Sequence, residues 1–328
     1  MTTLGYALSS EEHDPQTLIR NAKAAEEAGF EFAFISDHFH PWAHAQGQSP
    51  FVWSVLGAIA QVTERIRLGT GVTCPTVRIH PAILAQAAAT TALMLPGRFM
   101  FGVGSGENLN EHIIGSKWPS PKIRLQMLEE AVTLILRLWK GGSQNYEGKF
   151  FQVEDACIFS LPKEPPPILI AASKKQAAML AGRLGQGLIA TKPDQRLIDA
   201  FSKAGGRDMP RYGQVTICWA KSQEAGEAEA KNIWPNALVS GEASSELPLP
   251  RHFEQLTEDM PSTMISSSGG ITCGPSAKVH IAAIQKFIDA GFDHVYIHQI
   301  GHDQEEFIRF TKAEILPEFA PRTRDAMP

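Results

Sequence analysis

The sequence predicts an α/β fold of the (β/α)8 TIM-barrel class, and three observations carry that expectation. Short apolar strands alternate with amphipathic helical stretches almost from end to end. Eight such strands can be counted, each followed by a helix, which is the number a closed parallel barrel needs. A chain of 328 residues with 43% hydrophobic content can fill such a barrel as one domain over residues 1–328.

Leu4–Leu8 reads as the first strand, and the helix over Pro15–Ala28 stops at Gly29, a residue that readily ends helices. Phe32–Ser36, Ile66–Gly71 and Phe99–Gly104 are the second, third and fourth strands. Ile168–Ala172, Gly187–Thr191, Val215–Ala220 and His294–His298 complete the count. Helical patterns lie between them at Val52–Thr63, Pro81–Leu95, Lys122–Lys140, Lys174–Leu184, Asp194–Ala204, Glu224–Ile233 and Ser276–Ala290, with a last one at Asp303–Leu316. Two stretches depart from the repeat. Asn145–Phe159 has the pattern of a β-hairpin turning at Glu147-Gly148, appended after the fourth helix. Pro235–Ile271, rich in Ser, Gly, Pro and Glu, reads as a long, partly helical insertion before the eighth strand, near the mouth of the barrel.

The formal net charge of −5 gives no reason to expect nucleic acid or anionic lipid as a partner. Cys74, Cys157, Cys218 and Cys273 are scattered without a Cys-x-x-Cys pair, the usage of free thiols in a reducing compartment. The first residues show no basic region leading into an apolar run, and no apolar stretch has the ~18 residues a membrane span requires. A cytoplasmic protein acting on a small molecule is expected.

In barrels, reacting groups sit on the turns that follow the strands. After the second strand comes Ser36-Asp37-His38-Phe39-His40-Pro41-Trp42. A histidine there can take a proton from a hydroxyl at neutral pH, and the adjacent carboxylate could orient its ring or hold a polar cofactor edge. A surface histidine beside a capping aspartate is the plainer reading. His38, His40 and His44 could also suggest a metal, but Pro41 interrupts any regular element and no His-Glu-x-x-His spacing exists, so no metal is expected. The run Gly102–Glu107 lacks the third glycine of a dinucleotide fingerprint. Its glycines would permit close backbone approach to a planar ligand, with Glu107 and Asn110 projecting into the same space; a glycine-rich turn without function competes with that reading. Lys174-Lys175 opens the helix after the fifth strand, where amides favour anions, although exposed lysines are common.

These segments together resemble the luciferase-like superfamily, in particular its branch of coenzyme F420-dependent dehydrogenases related to glucose-6-phosphate dehydrogenase. The resemblance spans nearly the whole chain and is carried by residues 36–42, 68–75, 80–86, 102–111 and 301–304. It implies hydride transfer to or from C5 of a deazaflavin. His38 matches the base that takes the alcohol proton, Glu107 the acid for the ring, and Trp42 an aromatic residue on the substrate side. Asp37, Ser105, Gly106 and Asn110 match positions around the ring. Gly71-Val72 matches a non-prolyl cis bond whose bulge supports the ring's back face. Ala172, Ser173, Lys174 and Lys175 stand where relatives carry a Gly-Gly-Pro or Ser-Gly-Pro turn for the coenzyme phosphate. Near the places where sugar-phosphate members keep two lysines and an arginine, this chain has Thr191-Lys192, Gln255 and Gly269-Gly270, of which only Lys192 could serve. A dianion held by one cation binds weakly, so a neutral alcohol or carbonyl compound is expected rather than glucose 6-phosphate. A homodimer is the expected assembly. An FMN-dependent monooxygenase is the nearest alternative; a non-catalytic deazaflavin-binding protein and a zinc hydrolase stand further off.

Overall fold

The structure is a computed structural model and describes residues 2–320. Its strands and helices follow in the order β1 (Thr3–Leu8), α1 (Pro15–Ala28), β2 (Phe32–Ile35), α2 (Val52–Val62), β3 (Arg67–Thr70), α3 (Pro81–Met94), β4 (Phe99–Val103), α4 (Asn108–Glu111) and α5 (Pro121–Leu138). The hairpin strands β5 (Gln144–Glu147) and β6 (Gln152–Ala156) come next, then β7 (Ile168–Ala171), α6 (Lys175–Leu184), β8 (Leu188–Ala190), α7 (Gln195–Phe201), β9 (Arg211–Cys218) and α8 (Gln223–Ile233). Three short helices, α9 (Ala243–Glu246), α10 (Pro250–Thr257) and α11 (Met264–Ser267), precede β10 (Thr272–Cys273), α12 (Ala277–Asp289), β11 (His294–Gln299), α13 (Gln304–Phe310) and α14 (Leu316–Phe319).

Strands β1, β2, β3, β4, β7, β8, β9 and β11 pair in parallel in that circular order, and the β8–β9 and β11–β1 pairings close the barrel. Period-two alternation sorts the side chains. On β2, Phe32 and Phe34 point inward and pack with Met100, Leu169, Ile189, Tyr212 and Tyr296, while Ala33 and Ile35 pack outward among the helices. The inner aromatic rings meet edge to face, with Phe34 5.2 Å from Tyr212 and 5.1 Å from Tyr296. Side chains thus fill the barrel, and chemistry is left to the turns at its carboxyl end.

Local signals account for the helix ends. Asp14 caps α1 by accepting from the amides of Gln16 and Thr17, and Gly29 closes it in the left-handed region at φ 108°. The hairpin turn is fixed from outside: the Glu130 carboxylate on α5 accepts the amides of Lys149, Phe150 and Phe151.

Some boundaries differ from the sequence reading. β9 begins at Arg211 rather than Val215, because the Arg211 amide and guanidinium are both bound by Asp293, which extends the pairing with β11. The two-residue β10 beside β9 was not expected. The segment read as a loop after the fourth strand turns helical at Asn108, where the Glu107 carbonyl accepts the amides of Asn110 and Glu111. No helix of the described residues is long and apolar enough to cross a membrane.

Candidate active site

Two tight turns meet first. The Asn110 side-chain oxygen, after β4, accepts the backbone amides of Phe39 and His40, after β2, at 2.9 and 3.2 Å. His40 Nδ1 in turn lies 2.9 Å from the Leu109 carbonyl. The segments carrying His38 and Glu107 are therefore fastened together.

His38 is half-buried, its ring 5.1 Å from that of Trp42, which packs edge-on against Phe253 of α10. His38 Nδ1 is 3.3 Å from the His40 carbonyl, and Nε2 is 3.4 Å from Glu11 Oε1. The orienting carboxylate is thus Glu11, after β1, and not the adjacent Asp37, whose oxygens are engaged elsewhere. Burial opposes ionisation of Glu11, but His38 and the Ser36 hydroxyl outweigh it and hold the carboxyl below its usual range. A ring that accepts a proton here has an anion ready beside it.

The turn after β1 was missed by the sequence reading, which searched the turns of strands two to five. Ser9, Ser10, Glu11, Glu12 and His13 are all buried. The Ser9 hydroxyl lies 3.2 Å from both Glu11 and Glu12, and Glu12 also accepts the Gly301 amide at 2.9 Å and faces His298 Nε2 at 3.4 Å. A polar chain consequently runs from His38 through two carboxylates to a second histidine. The strand-end rule applied to Leu8 would have found it.

Asp37 faces the other way. Thr73 donates its hydroxyl to Asp37 Oδ2 at 2.7 Å, and Arg78 Nη2 lies 2.8 Å from Oδ1. Arg78 also gives its amide to Glu111 Oε2 at 2.6 Å. Burial pushes the Glu111 carboxyl up to about 7, with Glu107 and Asp37 adding to the rise and Arg78 opposing it. Arg78 lies outside the segments that carried the resemblance, and Glu111 closes the 102–111 segment without a role having been expected for it.

The Gly71–Val72 peptide bond is cis. Leu68 stands opposite Phe99 and Thr73 opposite Val103, so the strand around this bond holds one residue more than β4, a bulge at the barrel mouth. The glycines after β4 answer to protein neighbours as well as to any ligand. A Cβ on Gly106, which sits at φ 78°, would lie 2.5 Å from Cys74 Sγ, and one on Gly104 would lie 2.7 Å from Val72 Cγ2. Ser105 and Glu107 are half-buried, and the Glu107 carboxylate takes no hydrogen bond among the described residues.

The remaining expected positions stand apart. Ala172 is buried at the end of β7; Ser173, Lys174 and Lys175 are exposed. Lys174 is paired with Glu242 at 2.8 Å, near the start of α9, so its charge is shared before any phosphate arrives. Thr191 and Lys192 are exposed after β8. Segment 235–271 reaches across several turns: Asn108 donates to the Glu246 carbonyl at 2.9 Å, Arg124 pairs with Glu246, and the His44 amide donates to Glu254 at 2.7 Å. His38, His40 and His44 have separate partners. No group of three or more His, Cys, Asp or Glu among the described residues is placed to hold a metal ion.

The profile of the family described as luciferase-like monooxygenase matches residues 1–294. The chain belongs to this luciferase-like family. It is 37% identical over 330 residues to an F420-dependent glucose-6-phosphate dehydrogenase of Microbacterium testaceum (strain StLB037), covering 97% of each chain. A relative of the same description in Nakamurella multipartita is 35% identical over 325 residues, covering 95% of each. Among solved structures, an F420-dependent secondary alcohol dehydrogenase in complex with an F420–acetone adduct superposes with a TM-score of 0.88 at 26% identity, covering 96% of this chain and 98% of the other. The FMN complex of the oxygenating constituent of 3,6-diketocamphane monooxygenase from Pseudomonas putida has a TM-score of 0.69 at 16% identity, covering 97% of this chain and 98% of the other, and shares the fold.

Proposed function

We propose that this luciferase-like protein is a coenzyme F420-dependent dehydrogenase or reductase that moves a hydride between a small neutral alcohol, or its carbonyl form, and C5 of the deazaflavin. The observation that carries the reading is His38, set between Trp42 and the Glu11 carboxylate, on a turn fastened to the one bearing Glu107. Both the identity to F420-dependent relatives and the similarity to the alcohol dehydrogenase complex support it.

The residues fit such a coenzyme. Asn110 spends its oxygen on the β2 turn, while its buried Nδ2 has no partner, a donor available to a polar ring edge. The Gly71–Val72 bulge and Ser105-Gly106 supply backbone at the same mouth. Bound there, the deazaflavin supplies hydride acceptance and donation. His38 holds the alcohol proton on its ring as the substrate is oxidised, and Glu11 balances the charge that appears. Glu107 serves as the carboxyl for the coenzyme side. Trp42, backed by the buried Phe253, makes an apolar wall that shields the substrate from water.

A neutral substrate is supported by the pairing of cations around the mouth. Lys174 is bound to Glu242, Arg124 to Glu246 and Arg78 to Asp37, which leaves Lys175 and Lys192 as the lysines after β7 and β8 that make no ion pair among the described residues. For the coenzyme tail, Ser173, Lys175 and the amides opening α6 remain available. The assembly we infer is a homodimer through α2 and α3. Neither helix contains a charged residue, and Phe51, Val62, Ile83, Leu93 and Met94 are exposed along them.

The test is direct. Purified protein is titrated with F420 and with FMN, each followed by fluorescence, and then offered alcohols while the deazaflavin absorbance is watched. Binding of F420 and its reduction by a neutral secondary alcohol is expected. Tight FMN binding without affinity for F420 would replace this reading by the monooxygenase one; F420 binding with no turnover of any alcohol would favour a non-catalytic carrier.

A further inference from the structure

One guanidinium stands among the turns after β2, β3 and β4. Arg78 lies on the segment after β3; its Nη2 reaches Asp37 Oδ1 at 2.8 Å and its Nε faces Glu111 Oε1 at 3.6 Å. The three side chains are nearly inaccessible, at 7%, 1% and 1% exposed. A buried ion cluster of this kind is poor value as mere adhesive. Desolvating the charges costs as much as their attraction returns, and a packed apolar cluster of equal volume would serve stability as well or better. What a guanidinium offers instead is direction, since its planar fork accepts carboxylates only in set geometries. The cluster is also incompletely satisfied: Arg78 Nε, Glu111 Oε1 and the neighbouring Asn110 Nδ2 are buried without hydrogen-bond partners.

We propose that Arg78, with Asp37 and Glu111 as its two anchors, is a positioning residue for the coenzyme site: it sets the mutual placement of the three turns that carry His38, the Gly71–Val72 bulge and Glu107. The proposal rests on the F420 reading for the identity of the coenzyme, and on the geometry above for the clamp itself. Arg78 belongs to the β3 turn, its guanidinium hydrogen-bonds Asp37 of the β2 turn, and its backbone amide hydrogen-bonds Glu111 of the β4 turn, with Nε facing the same carboxylate at 3.6 Å. Thr73 binds Asp37 from the same segment as Arg78, and the side chain of Glu111 packs beside Gly106, one residue from Glu107. A shift of any of these turns must break a bond to Arg78 or Asp37.

Arg78→Lys keeps the charge and loses the fork. It is expected to raise the F420 dissociation constant about tenfold and to lower kcat by up to about a hundredfold, the scale at which a misplacement near 1 Å acts on a reaction. KM for the alcohol at saturating coenzyme is expected to stay within about twofold. Amide hydrogen exchange in residues 37–40, 72–78 and 105–111 should rise in this variant without F420, while exchange in β7 and β8 stays at the wild-type rate. Glu111→Gln retains an acceptor for the Arg78 amide and should loosen the same segments less. If Arg78→Lys binds F420 and exchanges like the wild type, Arg78 does not position the site. If Arg78→Lys proves unfolded, Glu111→Gln decides: wild-type exchange in the three turns overturns the clamp, and raised exchange confined to them supports it. Wild-type protein that fails to bind F420 refutes the functional reading instead, and the exchange pattern still judges the clamp.

Discussion

Replacing Glu111 by Gln should alter how the stability of the fold depends on pH, in a direction and size that the structure fixes. The carboxyl lies in a buried pocket beside two other acids, and burial, the largest effect, pushes it up to about 7 from an ordinary value of 4.5. Between those two values the unfolded chain has released the proton that the native chain keeps. The native state then binds more protons, so stability falls as pH rises from about 4.5 to about 7 and levels off above. A difference of this size corresponds to about 3 kcal/mol. The amide of Gln cannot ionise, so its stability curve lacks that decline. Urea unfolding followed by tryptophan fluorescence, at intervals from pH 4.5 to 8, measures both proteins. A constant offset between them, from the altered packing of the amide, is irrelevant; the change in the gap across the window is the signal. Glu11, Glu26 and Asp293, whose carboxyls are held below their usual range, contribute stability that is lost only as the pH falls through the acid range, and they do so equally in both proteins. Parallel curves from pH 4.5 to 8 would mean that Glu111 ionises as in water, and the argument from burial would fail.

The other expectations concern catalysis and assembly. His38→Ala should leave F420 affinity nearly unchanged and reduce kcat by about two to four orders of magnitude, the scale for loss of a general base; unaltered turnover would remove His38 from that role. Glu11→Gln, which keeps the shape and removes the anion 3.4 Å from His38, should reduce kcat by about one to two orders of magnitude with little change in alcohol KM, and steady-state kinetics would separate the two. Leu93→Glu sets a charge on the uncharged α2–α3 face and should convert a dimer to a monomer in sedimentation; a sedimentation profile identical to the wild type would place the assembly surface elsewhere.

The barrel was legible because its signals are local. Runs such as Phe32–Ile35 and Phe99–Val103 declare themselves by composition, and the end of the first helix by Gly29. The turns bearing His38 and Glu107 followed from the rule that function gathers after strands. What escaped was set by contacts between distant residues. Arg78 meets partners 41 and 33 positions away, and Lys174 meets Glu242 68 positions away, in a segment whose course no periodicity predicts. Short-range pattern also misread the turn after β4, where the glycines suggested a loop and the Glu107 carbonyl instead starts a helical turn.

The Asp37-His38 pair shows most clearly why adjacency misleads. Two residues in extended backbone project to opposite sides, so a carboxylate next in sequence to a histidine at a strand end is badly placed to touch its ring. Asp37 accordingly turns into the buried cluster with Thr73 and Arg78, and His38 turns toward the β1 turn, where Glu11 meets it. The two acids have separate tasks, one bracing the turns and one serving the imidazole. Asp37→Asn should therefore weaken coenzyme binding as well as lower kcat, whereas Glu11→Gln should lower kcat with coenzyme affinity unchanged. Measured side by side, a common effect of both on kcat alone would show that the two carboxylates work on His38 together and that this division is mistaken.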